Sequence, residues 1–145
     1  MPGTPILLSL QANFNAGEEQ GDGFQLLTSG ELIALPDGYL IRYEETLDES
    51  APPTRVELSL KEGFVTMRRR GEMDTHLVFR KGQRYESQYI TPFGAIDMAI
   101  FCTRMRHGRD NQGGFLHLQY QLDLNGQFAA MHEMDVRFAL KAAHE

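Results

Sequence analysis

The chain has 145 residues, 41% hydrophobic and 23% charged, the size and balance of one globular domain expected to span residues 1–145. With 14 basic and 20 acidic residues the formal charge is −6, which argues against indiscriminate binding to nucleic acid or anionic membranes but leaves room for a local basic patch. A single cysteine, Cys102, excludes an internal disulfide, and the opening MPGTPILLSL has neither a basic start nor an apolar run of spanning length, so a cytoplasmic protein is expected.

Ile6 to Phe14 reads as the first strand, and Asn15 to Gly23 as a solvated loop. Phe24 to Leu35 is answered across Pro36-Asp37-Gly38 by Tyr39 to Leu47. A two-residue Asp37-Gly38 turn sets Ala34 opposite Ile41, Leu32 opposite Tyr43 and Gly30 opposite Glu45, which places Glu45 on the apolar face of its strand. Asp48 to Pro53 is a loop, because its two prolines cannot join a central ladder. Thr54 to Lys61 alternates Val56, Leu58 and Leu60 with polar residues, and Glu62-Gly63 turns it into Phe64 to Arg70. The two-residue loop pairs Leu60 with Val65, Leu58 with Met67 and Val56 with Arg69. Arg69 is thereby expected inside, with Arg68 and Arg70 outside.

Met73 to Phe79 follows, and Arg80-Lys81-Gly82 fits a three-residue hairpin loop aligning Phe79 with Gln83, Leu77 with Tyr85 and Thr75 with Ser87. Tyr85 to Thr91 runs into Pro92-Phe93-Gly94, and Ala95 to Arg106 is a long strand. Two or three loop residues both fit this turn, so the inward set stays open between Ile96/Met98/Ile100 and Ala95/Ala99/Phe101. After the Asp110 to Gly114 loop come the two most regular strands, Phe115 to Leu124 and Phe128 to Leu140. A three-residue Asn125-Gly126-Gln127 loop pairs Leu124 with Phe128, Leu122 with Ala130, Tyr120 with His132 and Leu118 with Met134. A two-residue Asn125-Gly126 loop would instead set the leucines beside Met131, Glu133 and Asp135. No segment holds a helical period over ten residues. The expected fold is all-β, a single antiparallel up-and-down barrel of eight to ten strands, because closure removes the edges a sandwich must protect.

Thr28-Ser29-Gly30-Glu31-Leu32, Tyr43-Glu44-Glu45-Thr46, Leu77-Val78-Phe79 with Gly82, Tyr89-Ile90-Thr91-Pro92-Phe93-Gly94, and Gly113-Gly114 followed by Tyr120, Leu122 and Gly126 resemble the YwiB-like family of small bacterial proteins. Thr-Pro-Phe-Gly is the most specific of these motifs, and the match spans nearly the whole chain. The resemblance implies a calycin-like (lipocalin-like) β-barrel and a domain of unknown function; it supplies no catalytic residues.

The chemistry-bearing residues are sparse. Five histidines stand without a His-x-His pair, a His-Glu-x-x-His motif or cysteine partners, so no metal site and no cofactor are expected. Cys102, near Arg104 and Arg106, has no positioned base and reads as a small buried hydrophobe. The turn parities bring Tyr43, Glu45, Arg69, Tyr120 and His132 to inward positions, where a charge is costly unless paired. Glu45 and Arg69 are expected to pair, either as a structural ion pair or as part of a site for a small anionic or polar ligand. Arg68, Arg70, Arg104, Arg106 and Arg109 are the candidates for a surface basic patch, whose plain reading is a solvated strand face and whose functional reading is docking of a protein or RNA. A barrel binding a small molecule inside is the leading expectation, an interaction or regulatory module acting through the outer surface is the alternative, and an enzyme ranks below both. No membrane partner is expected.

Overall fold

The computed structural model describes residues 3–14, 23–46, 52–71 and 74–141. Ten strands account for nearly all of them: β1 (Thr4–Phe14), β2 (Gly23–Leu35), β3 (Gly38–Glu45), β4 (Thr54–Lys61), β5 (Phe64–Arg70), β6 (Thr75–Phe79), β7 (Arg84–Thr91), β8 (Gly94–Arg109), β9 (Gly113–Leu124) and β10 (Gln127–Leu140). No helix occurs among the described residues. The strands form one sheet in the order β6-β5-β4-β3-β2-β1-β10-β9-β8-β7, so two antiparallel meanders are joined by the pairing of β1 with β10. The expected loops at Asn15 to Gly23 and Asp48 to Pro53 fall largely outside the described residues, as do Leu47 and Met73 at the expected strand ends.

The sheet curls until its edges approach, giving a nearly closed barrel. The seam lies between β6 and β7, where a three-residue hairpin is the sequence expectation; no ladder joins them. Instead Gly82, with φ +77°, lets the chain cross from one edge to the other, and its N–H donates to the Cys102 carbonyl at 2.8 Å. Lys81 forms a single bridge to Cys102, and His107 Nε2 lies 3.1 Å from the Lys61 carbonyl. The barrel's waist is filled by apolar side chains. Leu8, Ile41, Leu58, Val65, Phe79 and Leu118 are wholly inaccessible to solvent, each contributing about 1.5–3 kcal/mol by burial.

The β4–β5 register is the expected one, Leu60 with Val65, Leu58 with Met67 and Val56 with Arg69. The β2–β3 register differs by two residues: the turn is Pro36-Asp37, Leu32 faces Ile41, and Gly30 faces Tyr43 rather than Glu45. The reason lies one strand further on. A Cβ on Gly38 would sit 2.1 Å from the Leu60 carbonyl oxygen, so this glycine serves the close approach of β4 and belongs to the ladder. A shift of two leaves every side chain on its original face.

At the β9–β10 turn, Asn125 (φ 51°) and Gly126 (φ 80°) form a two-residue loop, and Leu124 pairs with Gln127 instead of Phe128. A bulge between Phe128 and Ala130 then adds one residue. It restores the parity, so that Leu122 meets Ala130, Tyr120 meets His132 and Leu118 meets Met134. The β7–β8 turn is Pro92-Phe93, with Thr91 paired to Gly94, and Ile96, Met98 and Ile100 form the inward set of β8. A second bulge, between Cys102 and Arg104, switches the face of the rest of β8: Met105 and His107 turn inward, Arg104 and Arg106 outward.

Candidate functional site

Up-and-down connectivity gives the barrel two mouths. The end of β3 and the end of β5 reach the same mouth, and they carry the charged pair. Glu45 is the last residue of β3 and Arg69 the penultimate residue of β5; β4 runs between them with Thr54 opposite Glu45 and Val56 opposite Arg69. Arg69 leans across β4, and its Nη1 donates to Glu45 Oε2. The Tyr43 hydroxyl donates to the other oxygen, Oε1, at 3.4 Å. Glu45 is 2% exposed, the sole charged residue among the described ones to be buried, while the Arg69 side chain remains 30% exposed.

The facing wall supplies Tyr120 and His132, paired directly across β9 and β10. Tyr120 Oη and His132 Nδ1 are hydrogen-bonded at 3.2 Å, their rings meet edge-on at 5.2 Å, and Phe79 tilts against Tyr120 at 5.0 Å. Burial pushes the Tyr120 phenol up to about 12 against the opposing pull of the Arg69 charge. Burial, followed by the Glu45 charge, holds Tyr43 well above the ordinary phenol range. Arg69 loses some charge stability through burial, but the hydrogen bond and charge of Glu45 outweigh that and raise its pKa. His132 is lowered by burial. Tyr43, Glu45 and Arg69 thus form one hydrogen-bonded network, with Glu45 as its anchor and Arg69 as the charge nearest solvent, and Tyr120 and His132 form a second pair on the facing wall.

The five arginines considered for a surface patch do not all share one face. Arg68 and Arg70 are exposed on the outer face of β5, and Arg104 and Arg106 on the outer face of β8, with β6 and β7 between the two strands across the seam. Arg109 departs from Arg104 and Arg106, because its odd spacing from them along β8 puts it on the face of Met105 and His107. Its guanidinium stands 5.3 Å over the Tyr39 ring. Cys102 is 1% exposed, its thiol donates to the Arg104 carbonyl at 3.3 Å, and burial pushes its pKa up, all of which make it a packing residue. Among the described residues no cluster of three His, Cys, Asp or Glu side chains could hold a metal ion, and no helix is long and apolar enough to cross a membrane.

Sequence reasoning overlooks the second mouth. There Tyr39, Leu60, Phe64, Arg80, Lys81 and His107 border an open cleft of about 900 Å³. The chain signal that could have revealed it is the run of basic and aromatic residues at strand ends, which becomes a site only once the seam is known.

A ten-stranded, nearly closed antiparallel barrel with an apolar waist and a buried carboxylate–guanidinium pair at one mouth is the class of protein that these elements define. Within that class the chain belongs to the family described as a domain of unknown function, DUF1934, whose model matches residues 8–136. Among solved structures, the ywiB protein from Bacillus subtilis is similar with a TM-score of 0.81 at 18% identity, covering 96% of this chain and 93% of that one. The likeness shows the fold and agrees with the YwiB-like resemblance carried by Thr91-Pro92-Phe93-Gly94. No curated protein matches the sequence.

Proposed function

We propose that the protein is a non-enzymatic, calycin-like binding barrel of the cytoplasm that takes a small anionic or polar molecule at the mouth holding Glu45 and Arg69. The observation that carries this reading is the state of Arg69: a buried carboxylate fixes its guanidinium, yet 30% of the side chain remains exposed. A guanidinium has five N–H donors, and Glu45 engages Nη1, so further donors are available to a carboxylate or phosphate at the mouth. Tyr120 and His132 supply polar atoms on the facing wall. The apolar waist confines the ligand to the mouth, a narrower site than an enclosed cavity along the barrel axis.

Thermal melting with pooled small carboxylates and phosphates tests the proposal. A ligand at a hundredfold excess over its Kd should stabilise the wild type by about 2.7 kcal/mol. The shift should vanish in the double variant Glu45→Leu/Arg69→Met, which replaces the pair by apolar groups and so preserves packing. A shift of equal size in the double variant would defeat the proposal.

The filled waist also favours a second reading, an interaction module working through its outer face. Arg68, Arg70, Arg104 and Arg106 form no ion pair among the described residues, and they are free to meet an acidic protein segment or RNA. Loss of a captured partner on substituting these four, with no effect of the mouth variant, would select that reading.

A further inference from the structure

We propose that the opposite mouth holds a second site, for a small aryl anion: a planar apolar body bearing a carboxylate or phosphate. The site is independent of Glu45 and Arg69. It lies where the Glu62-Gly63 turn, the Arg80 to Gln83 crossing and the inward face of β8 surround an open cleft of about 900 Å³, a size suited to a small molecule. Its apolar surface comes from Tyr39, Leu60, Phe64, Met105 and Phe115.

Two independent observations point to the ligand. The first is Tyr39. This side chain is 8% exposed, it lines the cleft, and its hydroxyl is buried with no hydrogen-bond partner among the described residues. Buried hydroxyls are nearly always satisfied, because an unpaired one costs stability. Burial also raises the pKa of this phenol, which keeps it protonated and able to donate. An anionic oxygen within the cleft would accept that bond.

The second observation is the charge at the rim. Arg80 and Lys81 line the cleft, against one carboxylate, Glu62, and Arg106 borders it from the outer face of β8. None of these three cations joins an ion pair among the described residues, in a chain whose formal charge is −6. Arg80 is held 4.9 Å over the Phe64 ring, which positions its guanidinium at the wall of the cleft. His107 donates from Nε2 to the Lys61 carbonyl and sets its ring edge-on to Tyr39 at 6.4 Å, so the phenol is braced from the β8 side. A cationic rim above an aromatic and aliphatic floor discriminates in favour of an anion that carries a ring.

Calorimetric titration with phenyl phosphate, and in parallel with inorganic phosphate, tests the assignment. Phenyl phosphate should bind saturably and more tightly than inorganic phosphate. Tyr39→Phe removes the orphaned hydroxyl without removing the ring; it should fold as well as the wild type and bind about tenfold more weakly. Arg80→Gln/Lys81→Gln should weaken binding and flatten its dependence on salt. Saturable binding of phenyl phosphate should persist in Glu45→Leu/Arg69→Met, in which the mouth across the barrel can contribute none of it. The proposal is overturned by absence of saturable binding, by equal affinity for inorganic phosphate, by indifference to both Tyr39→Phe and Arg80→Gln/Lys81→Gln, or by binding confined to oligoribonucleotides.

Discussion

At the scale of single residues, the mouth network is decided by desolvation. Both oxygens of Glu45 are engaged, one by Arg69 and one by Tyr43, at a position 2% exposed. Glu45→Ala would leave a guanidinium largely buried without its partner, and urea unfolding should show a loss of about 3 kcal/mol. The apolar double variant Glu45→Leu/Arg69→Met should recover most of it. His132 supplies a pH signature. Burial lowers its pKa below the ordinary 6.5, so the unfolded chain takes up the proton before the folded one does. The stability contributed by the neutral ring is therefore intact above 6.5 and is lost as pH falls through the depressed folded value. Between about pH 7.5 and about pH 5, the melting temperature should fall more steeply in wild type than in His132→Gln. Parallel curves would show that the ring titrates as it does in solvent. That these residues share a face was legible in the sequence, because Arg69 follows directly from the Glu62-Gly63 turn and Tyr120 and His132 from the alternation of β9 and β10. Tyr39 was not: an orphaned hydroxyl depends on which groups are absent from its surroundings, and no local pattern encodes that.

Turns and bulges decide the outcome at the scale of elements. Apolar alternation reports the parity of a strand, so it tolerates errors of two residues and detects errors of one. This explains why the Asp37-Gly38 expectation misplaced Gly30 yet left Tyr43 and Glu45 facing inward. It also explains the β9–β10 hairpin, where a three-residue loop stood in for a two-residue loop plus a bulged residue; both add the same odd count, and the sequence does not mark where the extra residue sits. The bulge is thus the device that keeps His132 and Met134 inside. Deleting Ala129 should remove it and leave a regular ladder, in which Tyr120 still meets His132 and Leu118 still meets Met134. The expected result is a chain that still melts cooperatively, and Ala129→Gly should likewise remain folded with a cost of about 1 kcal/mol. Gly38→Ala should cost about 3 kcal/mol by forcing β4 away, because its Cβ would stand 2.1 Å from the Leu60 carbonyl oxygen, an effect that a glycine serving only the turn would not produce.

The whole molecule is organised by an asymmetry between its centre and its seam. β1, β9 and β10 are paired on both sides along most of their length, and β1–β10 joins the two meanders. β6 is a five-residue strand with one ladder, to β5, and β7 has one ladder, to β8. The seam was invisible in the sequence because Arg80-Lys81-Gly82 carries good hairpin chemistry; only closure of the ring shows that these residues cross between edges. Amides with one ladder and little cover open locally at a smaller free-energy cost than amides in a doubly paired core. Hydrogen exchange followed residue by residue should therefore be slowest in β1, β9 and β10 and fastest in β6 and β7. Within β6, Phe79 should be better protected than Thr75, because its side chain is wholly buried beside the Gly82–Cys102 link. Gly82→Pro, which deletes the N–H that donates to Cys102 and cannot adopt the +77° φ of the crossing, should accelerate exchange in β6 and β7 and leave β1 and β10 unchanged. Uniform acceleration over all ten strands would mean that the barrel opens only as a unit, and that the Gly82 crossing closes a cooperative ring.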